Sequence, residues 1–274
     1  MRITPTSFCA AWRTRSALRV ELFVTPCIVT SPLGEGGECD ALVVPANERL
    51  QGTLFTPSEC SRNLTPDTTL IYPPQVIDGL VSELGGSALA AALSILPADN
   101  RGIRCPTGKA ISTPAFGELL SCYQHLIHAC APFYATTVLA GDDGDGDGGS
   151  SSDDEECISN ESPVPHLWRS QMSSALRSAL HAANGVGATS LAVPLLGAGA
   201  RGGPAALTAE VIADALGEWQ HHSSSDIASC HGGGVLLRNC LRCVRIGVQE
   251  EDICGIVETA LDRTLERAPI GKLR

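Results

Sequence analysis

The chain has 274 residues, 43% of them hydrophobic and only 4% aromatic, enough for one sizeable core or at most a large and a small domain. The formal charge is −11, but nine acids and no base fall within 141–161, so the remainder is close to neutral and offers no broad basic surface for nucleic acid. No apolar run approaches the length that crosses a bilayer, which argues against a membrane partner.

Residues 1–17 read as an N-terminal extension. They carry Arg2, Arg13 and Arg15, several Ser and Thr, and no acid, a pattern shared by organelle transit peptides and by loosely docked tails. A folded domain then spans 18–270. Arg19–Val24 reads as a strand, and Ala41–Val44 as one buried on both faces. An insertion at about 52–74, rich in Thr, Pro, Ser, Asn and Asp, shows no period. Val76, Ile77, Leu80, Val81 and Leu84 fall at helical spacing; Gly85-Gly86 interrupts, and Ala88 to Leu93 resumes. Lys109–Thr113 and Tyr123–Cys130 read as strands. A second insertion, at about 140–162, is acidic, of low complexity, and too polar to order itself. Trp168, Met172, Ala175, Ala179 and Ala183 mark a helix face, as do Val211, Ile212, Ala215, Leu216 and Trp219 after Pro204. Leu241–Val248 is strand material, and Ile253 to Leu265 forms a last helix. This alternation predicts an α/β fold: three layers, α/β/α, about a central mixed sheet.

The segment Leu191-Ala-Val-Pro-Leu-Leu-Gly-Ala-Gly-Ala-Arg-Gly-Gly-Pro204 carries the chemistry. An apolar strand stops at a glycine loop, and a helix starts straight after it. Free backbone N–H groups and the positive helix end converge there, which suits a phosphate. Gly197, Gly199 and Gly202 also spell the dinucleotide fingerprint G-x-G-x-x-G. They stand late in the chain, though, and Asp226, at the right distance for the ribose acid, sits in a His/Ser-rich loop. A tight turn without a ligand is the plain alternative.

Metal patterns are weak. Cys240-x-x-Cys243, with Cys230-His231 upstream, enters a strand, where positions three apart face opposite ways. Asp143, Asp145, Asp147 and Asp154 mimic a calcium loop without its flanking helices. We therefore expect no metal and no cofactor. The twelve scattered cysteines read as reduced, mostly buried thiols of an intracellular protein, cytoplasmic or nuclear. His128 reads as a core histidine rather than a base.

Four segments, in order, resemble macro domains. Asp40-Ala-Leu-Val-Val-Pro-Ala-Asn47 is similar to their buried strand ending in Asn, and Cys105-Pro-Thr-Gly-Lys-Ala-Ile-Ser-Thr113 to their C-P-T-G-E-A segment. Gln124-His-Leu-Ile-His-Ala-Cys-Ala-Pro132 resembles their Y-V-I-H-T-V-G-P strand, and Pro194–Pro204 their phosphate loop. The resemblance implies a macro-domain-like fold that binds ADP-ribose, free or attached to protein, with ADP-ribosylated protein as partner. Asn47 would hold the distal ribose. Gly197, Ala198, Gly199, Ala200, Arg201 and Gly202 would wrap the diphosphate, with Arg201 pairing to phosphate, stacking on sugar, or lying solvated. Val76-Ile-Asp78-Gly79 resembles the G-V-D-G of hydrolytic members, in which the Asp orients water. Asp78 and Asn47 are therefore the candidate catalytic residues of an ADP-ribosyl hydrolase. Two departures stand out. Tyr72-Pro-Pro-Gln75 replaces a glycine tract before G-V-D-G, and Cys27 stands where an Asp usually meets the adenine amino group. Three readings follow: an ADP-ribose binder, a hydrolase, or a scaffold with a decayed site whose acidic loop recruits basic partners.

Overall fold

The computed structural model describes residues 6–31, 33, 39–52, 76–134, 164–219 and 239–268. Most of the 52–74 insertion, the acidic insertion, Gln220 to His222, Cys230 and Asp226 lie outside these residues.

Among the described residues, eight strands form one mixed sheet. They are β1 (Ser7–Arg13), β2 (Arg19–Val24), β3 (Ala41–Pro45), β4 (Ala110–Pro114), β5 (His125–Ala129), β6 (Ser190–Pro194), β7 (Cys243–Val248) and the two-residue β8 (Glu266–Arg267), in the order β4-β5-β3-β6-β7-β2-β1-β8. The central five, β5-β3-β6-β7-β2, are parallel, whereas β4 and β1 flank them antiparallel. Among the described residues four α-helices cover the faces: α1 (Ile77–Ser94), α2 (Val164–Gly185), α3 (Ala205–Gly217) and α4 (Glu251–Thr264).

Burial on both faces explains the unbroken apolar run of β3. Ala41 and Val43 join a core with α2, α3 and α4. Leu42 and Val44 join a second core with α1 and with Ile28, Val29 and Leu33 beyond β2. The helix faces expected from periodicity are the buried ones: Trp168, Met172, Ala175, Ala179 and Ala183 on α2, and Val211, Ile212, Ala215 and Leu216 on α3. The break expected at Gly85-Gly86 is a kink, with Gly86 at φ 58° and ψ −155° inside α1.

The first strand was not expected. Ser7–Arg13 lies inside the stretch read as an extension, yet it pairs along β2 with Trp12 fully buried, its indole N–H donating to Asp262 at 2.8 Å. Its arginines and hydroxyls masked Ala10, Ala11 and Trp12, which carry the burial. No helix among the described residues is long and apolar enough to cross a membrane.

Parallel strands place their carboxyl ends together. In the order β5-β3-β6, the segments following Ala129, Pro45 and Pro194 therefore emerge side by side, and ligands of open α/β sheets gather at such tips. Asp40 fixes the opposite end of β3 against β6: its carboxylate accepts from Thr189 N at 2.6 Å, Thr189 Oγ1 at 2.6 Å and Ser190 N at 3.0 Å.

Candidate functional site

The glycine loop follows β6 directly. Gly203 N donates to Gly197 O at 2.9 Å and Gly202 N to Gly199 O at 2.9 Å, so the turn closes on itself; Ala198 N donates to Leu195 O at 3.2 Å. The N–H groups of Gly197, Gly199, Ala200 and Arg201 donate to no other described residue. Gly199, Ala200 and Gly202 are exposed, while Gly197 and Gly203 are buried against α2. Four unpaired donors thus sit at the start of α3, where the helix dipole adds positive potential.

Two of the turn's glycines show why the geometry needs them. Gly197 has φ +91°, a conformation that side chains disfavour, and its added Cβ would meet Met172 Sδ at 3.0 Å. At Gly203 an added Cβ would lie 2.7 Å from Trp168 Cζ2 and 2.8 Å from Gly197 O. The loop therefore rests directly on α2. Trp168 is fully buried, stacks edge-on to Tyr134 with centroids 5.4 Å apart, and leaves its indole N–H without a partner. The hydroxyl of Thr208, in the first turn of α3, is buried and unpaired as well. A buried donor left so costs about 1–3 kcal/mol.

Arg201 is partly exposed but anchored. Its Nη2 donates to Ala46 O at 2.6 Å, its guanidinium lies 4.1 Å from the centroid of the Phe133 ring, and its carbonyl accepts from Tyr134 N at 2.9 Å. It ties the loop to the tips of both β3 and β5. The sequence did not mark Phe133; its only signal was an aromatic directly after the Cys130-Ala-Pro132 strand end. Cys130, behind Arg201, is buried; burial raises its thiol pKa, and the guanidinium opposes this in part.

Asn47 follows β3 and caps its own turn. Its Nδ2 donates to Gly52 O at 2.7 Å, and its Oδ1 accepts from Arg49 N at 3.1 Å and Gln51 N at 3.4 Å. The plain reading of a turn asparagine is thus met, with one amide hydrogen left over. The next residue, Glu48, accepts from Thr107 N and Thr107 Oγ1, both at 2.9 Å, which brings the Cys105-Pro-Thr-Gly108 segment against the same turn. Asp78 stands in the first turn of α1, 8% exposed. Within α1, Ser82 Oγ donates to the main-chain carbonyl of Asp78 at 2.8 Å, and an added Cβ at Gly52 would lie 2.8 Å from Ser82 Oγ, so α1 packs beside the 47–52 turn.

His128 is a core residue, with Nε2 3.0 Å from Thr113 Oγ1 and burial pulling its pKa down to about 4. Cys243 opens β7 and its thiol donates to the buried Glu21 carboxylate at 3.6 Å, while burial pushes its pKa up to about 12. Glu21 in turn meets Arg245 at 3.0 Å. Among the described residues no cluster of three His, Cys, Asp or Glu could hold a metal. Cys27 lies just past the tip of β2, half-buried, its carbonyl accepting from Ser31 N at 2.9 Å.

No protein-family model matches the sequence, and no curated protein sequence does. The fold, however, has clear counterparts among solved structures. The chain superposes on the Oceanobacillus iheyensis macrodomain, in a mutant form, with a TM-score of 0.59 at 15% identity, covering 96% of this chain and 95% of that one. Another mutant of the same macrodomain, solved with ADPR, gives 0.56 at 16% identity, with 94% and 97% covered. The Trypanosoma brucei macrodomain in complex with ADP gives 0.51 at 15% identity, covering 88% of this chain and 68% of that one.

Proposed function

We propose that this chain, which has the macrodomain fold, binds ADP-ribose, free or protein-linked, with its diphosphate on the 197–202 turn. The observation that carries this reading is the set of unpaired N–H groups at Gly197, Gly199, Ala200 and Arg201, presented at the head of α3 beside Asn47. Main-chain donors on a glycine-rich turn approach phosphate oxygens closely. Arg201 adds a fixed positive charge to the rim. Asn47 keeps one N–H for a ribose hydroxyl. The solved structures with ADPR and ADP in this fold support the same ligand class. The tip of β2 lies two strands from β6, so the base of an extended ligand would reach the neighbourhood of Cys27. Isothermal calorimetry with ADP-ribose tests the reading: saturable heat is expected, and no heat at millimolar ligand removes it, leaving the scaffold reading.

A second reading, hydrolysis of an ADP-ribosyl bond, is favoured by one observation. The first turns of α1, which carry the buried residue Asp78, pack through Ser82 beside Gly52, whose carbonyl holds Asn47. Held there in its ionised form, Asp78 would orient water at the distal ribose. Release of ADP-ribose from a modified protein is the assay. Asp78→Ala is expected to abolish release while leaving ADP-ribose affinity within a few-fold; unchanged turnover excludes the role.

A further inference from the structure

Two buried polar atoms beneath the glycine turn have no partner, and the turn's own geometry says what they face. The indole of Trp168 meets Gly197 and Gly203 through Cζ2, at 3.7 Å and 2.7 Å from the Cβ positions of those glycines. In an indole, Cζ2 is one bond removed from the carbon that bears Nε1. The edge turned to the loop is therefore the edge that carries the N–H. Thr208 Oγ1 lies 3.1 Å from the same Gly203 Cβ position and is equally without a partner. Neither atom reaches solvent. The ring is also connected sideways: it packs on Tyr134, whose N–H holds the carbonyl of Arg201. The turn is thus supported from below at Gly197 and Gly203 and from the side at Arg201, and the free amides span the interval between these points.

We infer that Trp168 is a positioning residue for the phosphate loop: it supports the turn from beneath and donates its indole N–H to the turn's backbone when a diphosphate is seated. This rests on the ADP-ribose reading above. A buried donor without a protein partner is met by ordered water, by a second arrangement of its neighbours, or left unmet by the surrounding fold. Here the neighbouring backbone is glycine on both sides, so the peptide units next to the indole edge reorient at little steric cost. Drawing the outer amides toward phosphate oxygens turns carbonyls inward, toward Trp168 Nε1 and Thr208 Oγ1. Trp168 touches no ligand itself; it acts through the amides it spaces.

The chain has three tryptophans, which makes the test direct. Their indole N–H signals are followed by 1H–15N correlation spectra of the full-length protein during titration with ADP-ribose and, separately, with inorganic pyrophosphate. Trp12 Nε1 is already bonded to Asp262, and Trp219 Nε1 is buried and unpaired beyond the far end of α3, so both serve as internal references. The Trp168 signal is expected to move downfield in step with saturation by either ligand, with the other two static. Trp168→Phe assigns the signal and is expected to weaken both ligands about tenfold. Leu176→Ala, on the same helix but away from the turn, is expected to lower the melting temperature comparably and leave affinity within twofold. If Trp168→Phe does not fold, single Phe substitutions of Trp12 and Trp219 assign the signal by elimination. A static Trp168 signal at saturation overturns the inference alone, as does equal weakening by Leu176→Ala. Binding of neither ligand by the wild type overturns the ADP-ribose reading together with it.

Discussion

Replacing Gly203 by Ala tests the packing of the turn on α2. The new Cβ would sit 2.7 Å from Trp168 Cζ2 and 2.8 Å from Gly197 O, both inside the 3.0 Å that real Cβ atoms respect. Neither neighbour yields easily. Gly197 O belongs to the backbone and accepts the Gly203 N–H, and Trp168 is fully buried against Tyr134. Overpacking of this kind costs about 1–3 kcal/mol. In a protein of this size that corresponds to a fall of roughly 2–12 °C in melting temperature. The clash is relieved only by moving the turn off α2, which displaces the four free amides, so ADP-ribose affinity falls as well, by about tenfold or more. Scanning fluorimetry and calorimetry read the two effects. Gly199→Ala is the control: nothing lies within 4 Å of its added Cβ, and no loss of stability is expected. A Gly203→Ala protein that melts and binds like the wild type would refute the packing described here.

Three further outcomes follow from named contacts. Arg201→Ala removes a bond to Ala46 O and the stack on Phe133; a loss of about 1–3 kcal/mol is expected from the charge-assisted bond, with weaker ADP-ribose binding whose salt dependence is reduced, both read by denaturation and calorimetry in a salt series. Asp40 is partly buried, which raises its pKa, but hydrogen bonds from Thr189 and Ser190 outweigh this and lower it overall. Its contribution is complete above the unfolded value of 3.8 and fades as pH falls through the lower folded value, so Asp40→Asn should destabilise at neutral pH and converge on wild type in acid. His128 is held neutral by burial, its pKa drawn from 6.5 down to about 4. The unfolded chain therefore binds the extra proton first, and stability is lost as pH falls from 6.5 toward 4; His128→Gln should flatten that segment of a melting-temperature profile.

Much of this fold was legible because its signals are local. β3 was readable from the consecutive Leu42, Val43 and Val44, α2 and α3 from their apolar spacing, and the α1 kink from Gly85-Gly86. The glycine turn after β6 was readable because strand, glycines and Pro204 follow in register. What the sequence hid depends on long-range contact. β1 lay under an arginine-rich composition, and only its pairing with β2 and the contact of Trp12 with Asp262 show that it belongs to the sheet. The part played by Arg201 could not be read, because Ala46 and Phe133 are distant in the chain. Trp168 was visible only as one member of a buried helix face, since nothing local announces which edge of an indole meets a glycine. Asn47 shows the opposite limit: its residue type suited a ribose, while its bonds within 47–52 are those of an ordinary turn.

The most direct measurement is a titration of 15N-labelled protein with ADP-ribose, followed at the backbone amides of the turn. The account predicts saturable downfield shifts at Gly197, Gly199, Ala200 and Arg201, the donors without an acceptor among the described residues, and smaller ones at Ala198 and Gly202, which are already bonded. Saturable binding that leaves those four signals in place would contradict it.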